Sequence, residues 1–127
     1  MRSVSTATTK FTFRDDGIVF GIDINPDTER TAQNVSDAMD MLNQLVEGQA
    51  RPGLWDPRPG TGFPAEAWTT LIRRLPESIS ALAILADDRV RQGIGGFPAA
   101  IDSLLIPVRV FADEAEATEW LLQFVDA

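Results

Sequence analysis

The sequence has no cysteine, no histidine and no tyrosine. Without cysteine there is no disulfide, no thiolate nucleophile and no Cys-rich zinc site. Without histidine there is no imidazole base, no Ser-His-Asp triad and no zincin motif. Positive charge is scarce as well. Against 19 acidic residues stand 11 basic ones, a formal net charge of −8. Such a balance argues against a nucleic-acid footprint, because nothing here neutralises a phosphate backbone over several contacts. Long apolar runs are also missing. Ile79 to Ala86 is interrupted by Ser80 and is far too short to span a bilayer. The start of the chain lacks the apolar stretch of a signal peptide. A soluble cytoplasmic protein with no membrane span is therefore expected.

What is present fits one domain. The 127 residues have room for one well-filled core. Residues 1–9, rich in Ser and Thr, read as a loose tail, and residues 10–127 as the domain. Phe11 and Phe13 alternate with Lys10, Thr12 and Arg14, the period of a strand with one buried face. Asp15-Asp16-Gly17 makes a tight turn into Ile18–Ile22, apolar on both faces as in a buried strand. The charges on the outer strand of this hairpin would discourage edge-to-edge pairing.

Asn25-Pro26-Asp27 ends the second strand. Thr28 or Thr31 then caps a helix whose inward stripe is Val35, Ala38, Met39, Leu42, Leu45 and Val46. Gly48 supplies the left-handed stop. Gly53-Leu54-Trp55 is a short strand candidate. Pro64 opens a second helix, with Trp68, Leu71, Ile72 and Leu75 on one face and Pro76 at its close. Ile79 to Ala86 reads as a central strand buried on both faces. Asp87 or Asp88 caps a third helix running towards Leu105, with Ile94, Phe97, Ile101, Leu104 and Leu105 inward. Pro107 to Phe111 is the last strand. Asp113 and Glu116, at capping-box spacing, open a final helix with Ala117, Leu121, Phe124 and Val125 on one face. The expected fold class is α/β, in the order β-β-α-β-α-β-α-β-α, with a mostly parallel sheet and an antiparallel N-terminal hairpin strand.

This order resembles the STAS domain, the fold of the bacterial anti-sigma-factor antagonists, and more closely a branch of STAS/SEC14-like bacterial proteins. The residues that carry the likeness are Ala81-Leu82-Ala83-Ile84-Leu85, Arg91-Gln92-Gly93-Ile94-Gly95-Gly96-Phe97, Pro107-Val108-Arg109-Val110-Phe111 and the acidic-capped helix Asp113 to Leu121. The order of elements matches along residues 10–125, and the sequence likeness begins near Ser78. The resemblance implies a non-enzymatic regulatory module that binds a protein partner or a small ligand, often as a homodimer. In the antagonists, a Ser after an Asp at the start of the second helix is phosphorylated to switch binding off. Asp56 matches the place of that family's Asp, but residues 57–63 contain no Asp-Ser pair. Thr61 is their only hydroxyl, and the switch is not carried over.

In open α/β sheets, ligands bind outside the carboxyl ends of the strands, where Asp56 and Asp87 fall. Two carboxylates meeting there have the chemistry for Mg²⁺, a hard cation that takes oxygen ligands. A turn at Asp56 and a helix cap at Asp87 explain both without a metal, and neither a metal nor a cofactor is expected. Arg89 and Arg91 are candidates for holding an anion. Trp55, Phe63 and Phe97 are candidates for an apolar pocket or partner surface near the same end of the sheet. The candidate ligand- or partner-binding residues are thus Trp55, Asp56, Thr61, Phe63, Asp87, Arg89, Arg91 and Phe97. The leading expectation is a non-catalytic domain binding a protein partner or a second copy of itself. The second is a sensor or carrier of a small apolar ligand.

Overall fold

A computed structural model describes residues 2–60, 64–91 and 103–125. The strands are β1 (Arg2–Ser5), β2 (Thr9–Phe13), β3 (Val19–Asp23), β4 (Arg51–Asp56), β5 (Ile79–Leu85) and β6 (Val108–Phe111). They form one sheet in the order β1-β2-β3-β4-β5-β6. The pairs β1–β2 and β2–β3 are antiparallel, and β3 to β6 are parallel. Among the described residues, the helices are α1 (Ala32–Leu45), α2 (Ala65–Arg74), α3 (Asp88–Arg91) and α4 (Glu114–Leu122). This is the mixed α/β fold, antiparallel at its N-terminal side, that the pattern of residues predicts.

The N-terminal tail is a correction. Residues 2–5 are not loose but pair with β2, Arg2 opposite Phe13 and Ser5 opposite Lys10. The Ser/Thr composition hid the strand because one of its faces is solvent, and there polar β-branched and small side chains serve well. Ser3 and Thr12 share a hydrogen bond of 3.0 Å on that face. Hence β2 is an interior strand, not the edge expected from its charges.

The β2–β3 turn forms as its residues dictate. Gly17 takes φ +89°, and the Asp16 carboxylate accepts from the Ile18 N–H. Thr31 caps α1, its side chain accepting from the Asn34 N–H at 3.0 Å. The stripe Val35, Ala38, Met39, Leu42 and Leu45 is buried against the sheet. Asp113 caps α4 through the Ala115 N–H at 3.0 Å.

Strand β4 is longer than the Gly53–Trp55 core of it that the sequence marks. It begins at Arg51, and its register shifts between Arg51 and Pro52, where a missing N–H is tolerated. A second correction concerns the third helix. Leu105 is 95% exposed, and residues 104–107 lie in bends and extended chain. Pro107 disfavours helix in the residue before it, so the chain straightens into β6. Leu104 does pack against the core. Ile94, Phe97 and Ile101 lie outside the described residues.

Because β3, β4 and β5 are neighbours in chain order, right-handed crossovers put α1 and α2 on one face of the sheet. There Phe11, Val19, Leu82 and Ile84 meet Met39, Leu42, Trp68 and Leu71. After β6 the chain crosses to the other face. Ala117 and Leu121 of α4 cover Leu54, Ala81, Ala83, Leu85 and Phe111 there, with Ile18 in the same cluster. The alanines at 81 and 83 have no exposure and leave room for α4 to pack close.

Candidate functional site

The carboxyl ends of β3 and β4 bring two buried acids close together on opposite faces of the sheet. Ile22 of β3 stands opposite Asp56 of β4, so Asp56 shares its face with Ile22. Asp23 is one residue further on and points to the α1 face, in phase with Val19 and Gly21. Asp23 is 4% exposed and Asp56 5%.

Asp56 has a charged partner. Both its oxygens receive the Arg58 guanidinium, Nε at 2.8 Å and Nη2 at 2.9 Å, and Oδ1 also accepts the Arg58 N–H at 3.1 Å. Bidentate, charge-assisted contacts of this kind are the strong ones. The hydrogen bond to Asp56 pushes the Arg58 pKa further up, and the charges of Asp56, Asp87 and Glu114 act in the same direction. The three acids therefore face one guanidinium at this end of the sheet.

Asp23 is held differently. Its Oδ1 accepts from the Trp55 indole Nε1–H at 2.9 Å. Trp55 stands on the same face because its register partner is Gly21, and its ring meets Trp68 edge to face at 6.2 Å. Among the described residues, no hydrogen bond reaches Asp23 Oδ2. Gly60 passes directly over this oxygen, and a Cβ there would overlap it. Burial raises the Asp23 pKa to about 6, although the Trp55 hydrogen bond and the Arg30 charge pull it down; the Asp56 charge adds to the rise.

Arg30 is the positive charge nearest in effect to Asp23, and it is itself 2% exposed. Its guanidinium donates to four main-chain carbonyls: Asn25 at 2.8 Å, Thr28 at 2.6 Å, Ile24 at 2.6 Å and Thr8 at 3.3 Å. It ties the entry of β2 to the loop after β3 and helps hold the β3 end in place. Asn25, at φ +53°, gives that loop its sharp bend.

Asp23 also lines a cavity of about 60 Å³ between the sheet and α1. Phe11, Val19, Met39, Leu42, Trp55 and Leu82 make its apolar wall, and the hydroxyl-bearing Thr8 and Thr9 join Asp23 in the lining. Among the described residues, no group of three or more acidic side chains is gathered in a way that would hold a metal ion.

One protein family, described as a domain of unknown function (DUF7793), matches residues 11–125. The chain belongs to that family. No curated protein and no solved structure matches it. The family match takes in Asp23, Arg30, Trp55, Asp56 and Gly60 and leaves out β1.

Of the residues expected to bind, Trp55 and Asp56 are adjacent in β4 but serve opposite faces, Trp55 the cavity and Asp56 the Arg58 pair. Asp87 is exposed and caps α3, its Oδ1 accepting the Val90 N–H at 2.9 Å. Arg91 is exposed on that turn. Thr61, Phe63 and Phe97, together with the side chain of Arg89, lie outside the described residues. Asp23, Arg30 and Gly60 are absent from the sequence-based candidates. The signal for Asp23 was the strand period: continuing the phase of Val19 and Gly21 by one step buries residue 23. Ending the strand at Ile22 concealed it. Among the described residues, no helix is long and apolar enough to cross a membrane.

Proposed function

We propose that this chain is a non-catalytic, STAS-like regulatory domain that binds a protein partner and itself pairs as a homodimer. The observation that carries the reading is the commitment of two of the acids at the carboxyl edge, Asp56 and Asp87. Asp56 is bound on both oxygens by Arg58 and Asp87 caps a helix, so neither stands as a free acid–base group. Catalysis by carboxylates needs groups within reach of a substrate proton, and a carboxylate bound on both oxygens is a poor base. Arg58 keeps 42% of its side chain exposed beside Asp56, so a partner can reach this pair from outside. The alternation of strand and helix from β3 onward supports the STAS likeness.

Affinity capture with the wild-type chain and with Arg58→Glu tests this reading. One stoichiometric protein should be held by the wild type and lost by the variant, while both sediment as dimers. A partner held equally by both moves the interface elsewhere, and a monomer at high micromolar concentration removes the dimer.

A second reading, a sensor or carrier of a small apolar ligand, is favoured by the cavity beneath α1. A ligand that binds only the folded state raises its apparent stability, so a thermal-shift screen separates the two readings.

A further inference from the structure

Strand β1 is an edge of the sheet, and among the described residues no strand pairs with its outer side. An edge strand offers a row of unused main-chain donors and acceptors, and proteins commonly blunt such rows with lysine, proline or a bulge. Strand β1 carries none of these. Its residues are Arg2, Ser3, Val4 and Ser5, and their register with β2 is unbroken. We infer that the free edge of β1 pairs antiparallel with the β1 edge of a second copy of this chain, about a two-fold axis at Val4, joining the two sheets into one. This rests on the homodimer reading and names the surface through which the copies meet.

The hydrogen-bond phase selects the residues that reach the partner. The Thr6 N–H donates to the Thr9 carbonyl at 2.8 Å, one step beyond the pair of Ser5 with Lys10. Hydrogen-bonded pairs alternate along an antiparallel ladder, so Arg2 and Val4 turn their main-chain groups to β2 while Ser3 and Ser5 turn theirs outward. With the axis at Val4, Ser3 of each copy stands opposite Ser5 of the other, and each such pair exchanges both its N–H···O bonds. Shape and charge agree with the same axis. An open groove of about 380 Å³ runs between β1 and α1, lined by Arg2, Ser3, Val4, Met41, Gln44 and Leu45. The Arg2 guanidinium donates to the Leu45 carbonyl at 3.2 Å, so Arg2 stands level with the end of α1, and Val4 with Met41. Exposed Asp37 lies four residues before Met41 and seven before Gln44, on the same stripe of α1. Arg2 and Asp37 thus flank the axis on opposite sides, roughly 7 and 6 Å along it by the rise of strand and helix. The two-fold turns Asp37 of each copy towards Arg2 of the other, whose side chain is 57% exposed beside Glu47. A cation then meets an anion at both ends of the contact, which matters for a chain of net charge −8 meeting its own copy.

Amide hydrogen exchange in the wild-type chain, with no residues added before Met1, reads this edge directly. An outward N–H on an unpaired edge exchanges freely, and pairing protects it. The fragment holding Ser3 and Ser5, followed by mass spectrometry, should exchange at least about tenfold more slowly at about 500 µM chain than at about 5 µM. Ser5→Pro removes an outward N–H and leaves the ladder with β2 intact, the place where a strand tolerates proline. It should sediment as a monomer with the circular dichroism of the wild type. Asp37→Lys, which sets like charges at both ends of the contact, should weaken the dimer at least about threefold, and more so at low salt. A dimer whose Ser3 and Ser5 exchange equally fast at both concentrations, or one that survives Ser5→Pro, overturns the β1 interface and leaves the homodimer reading standing. A monomer at high micromolar concentration overturns both. A dimer as tight in Asp37→Lys as in the wild type overturns the axis at Val4. The exchange measurement on the wild type stands whether or not the variants fold.

Discussion

Asp23 and Asp56 end neighbouring strands, one register step apart, and are buried to the same degree, yet the protein treats them in opposite ways. On the α4 face Asp56 receives a guanidinium on both oxygens and a main-chain N–H, and its charge is spent on holding a turn. On the α1 face Asp23 receives one neutral indole N–H and the field of an arginine whose own hydrogen bonds go to carbonyls. A buried acid with a dedicated charged partner is structure. An acid with a single neutral donor, beside an apolar cavity, holds its proton to higher pH. Burial alone would not have separated the two.

The largest effect should come from removing the charge that stands behind Asp23. Arg30→Met leaves buried carbonyls at Thr8 and Ile24 without this donor and leaves Asp23 without its countercharge. A loss of about 3–5 kcal/mol is expected in urea unfolding, as for breaking a buried charge network. A loss under about 1 kcal/mol would show that the clasp is incidental.

Next comes the titration of Asp23 itself. Its folded pKa, about 6, lies above the ordinary value of 3.8, so the folded state holds the proton more tightly. The stability gained from that proton is fully present below pH 3.8 and is lost as pH rises through about 6. Over that window the difference in unfolding free energy between Asp23→Asn and wild type should grow by about 3 kcal/mol in favour of the variant. A difference that stays flat from pH 4 to 7.5 would remove the contrast between the two acids.

Asp56→Ala should act in the other direction, costing about 1–3 kcal/mol at neutral pH through loss of the charge-assisted contacts to Arg58. The same substitution scored by differential scanning calorimetry would break the comparison if it raised stability. Smallest is the exposed pair of Arg2 with Glu47, 3.2 Å apart at the end of α1. Glu47→Ala should change stability by no more than about 0.5 kcal/mol, because exposed ion pairs are worth little.

The sequence carries most of the fold. Helical stripes such as Val35, Ala38, Met39 and Leu42, and the apolar run into Leu85, read directly because burial imposes periods of 3.6 and 2. Strand β1 escaped because one of its faces is wet, so Ser3 and Ser5 carry no apolar alternation. The site was half legible. Trp55 and Asp56 stood out by residue type and by their place at a strand end. Asp23 required the strand phase to be carried past Ile22, into what resembles a turn before Pro26. Arg30 had no sequence signature at all, since its partners are main-chain carbonyls gathered from separate parts of the chain. Gly60 looked like one more loop glycine, and its purpose lies in the carboxyl oxygen it passes.

The most direct measurement is the titration of the Asp23 carboxyl carbon by ¹³C NMR in the wild-type chain, with Trp55 Nε1–H followed in parallel. A midpoint near pH 6 is expected, with the indole signal moving in step. A midpoint near the ordinary 3.8, or an indole signal indifferent to it, would contradict the claim that burial beside a single neutral donor sets Asp23 apart from Asp56.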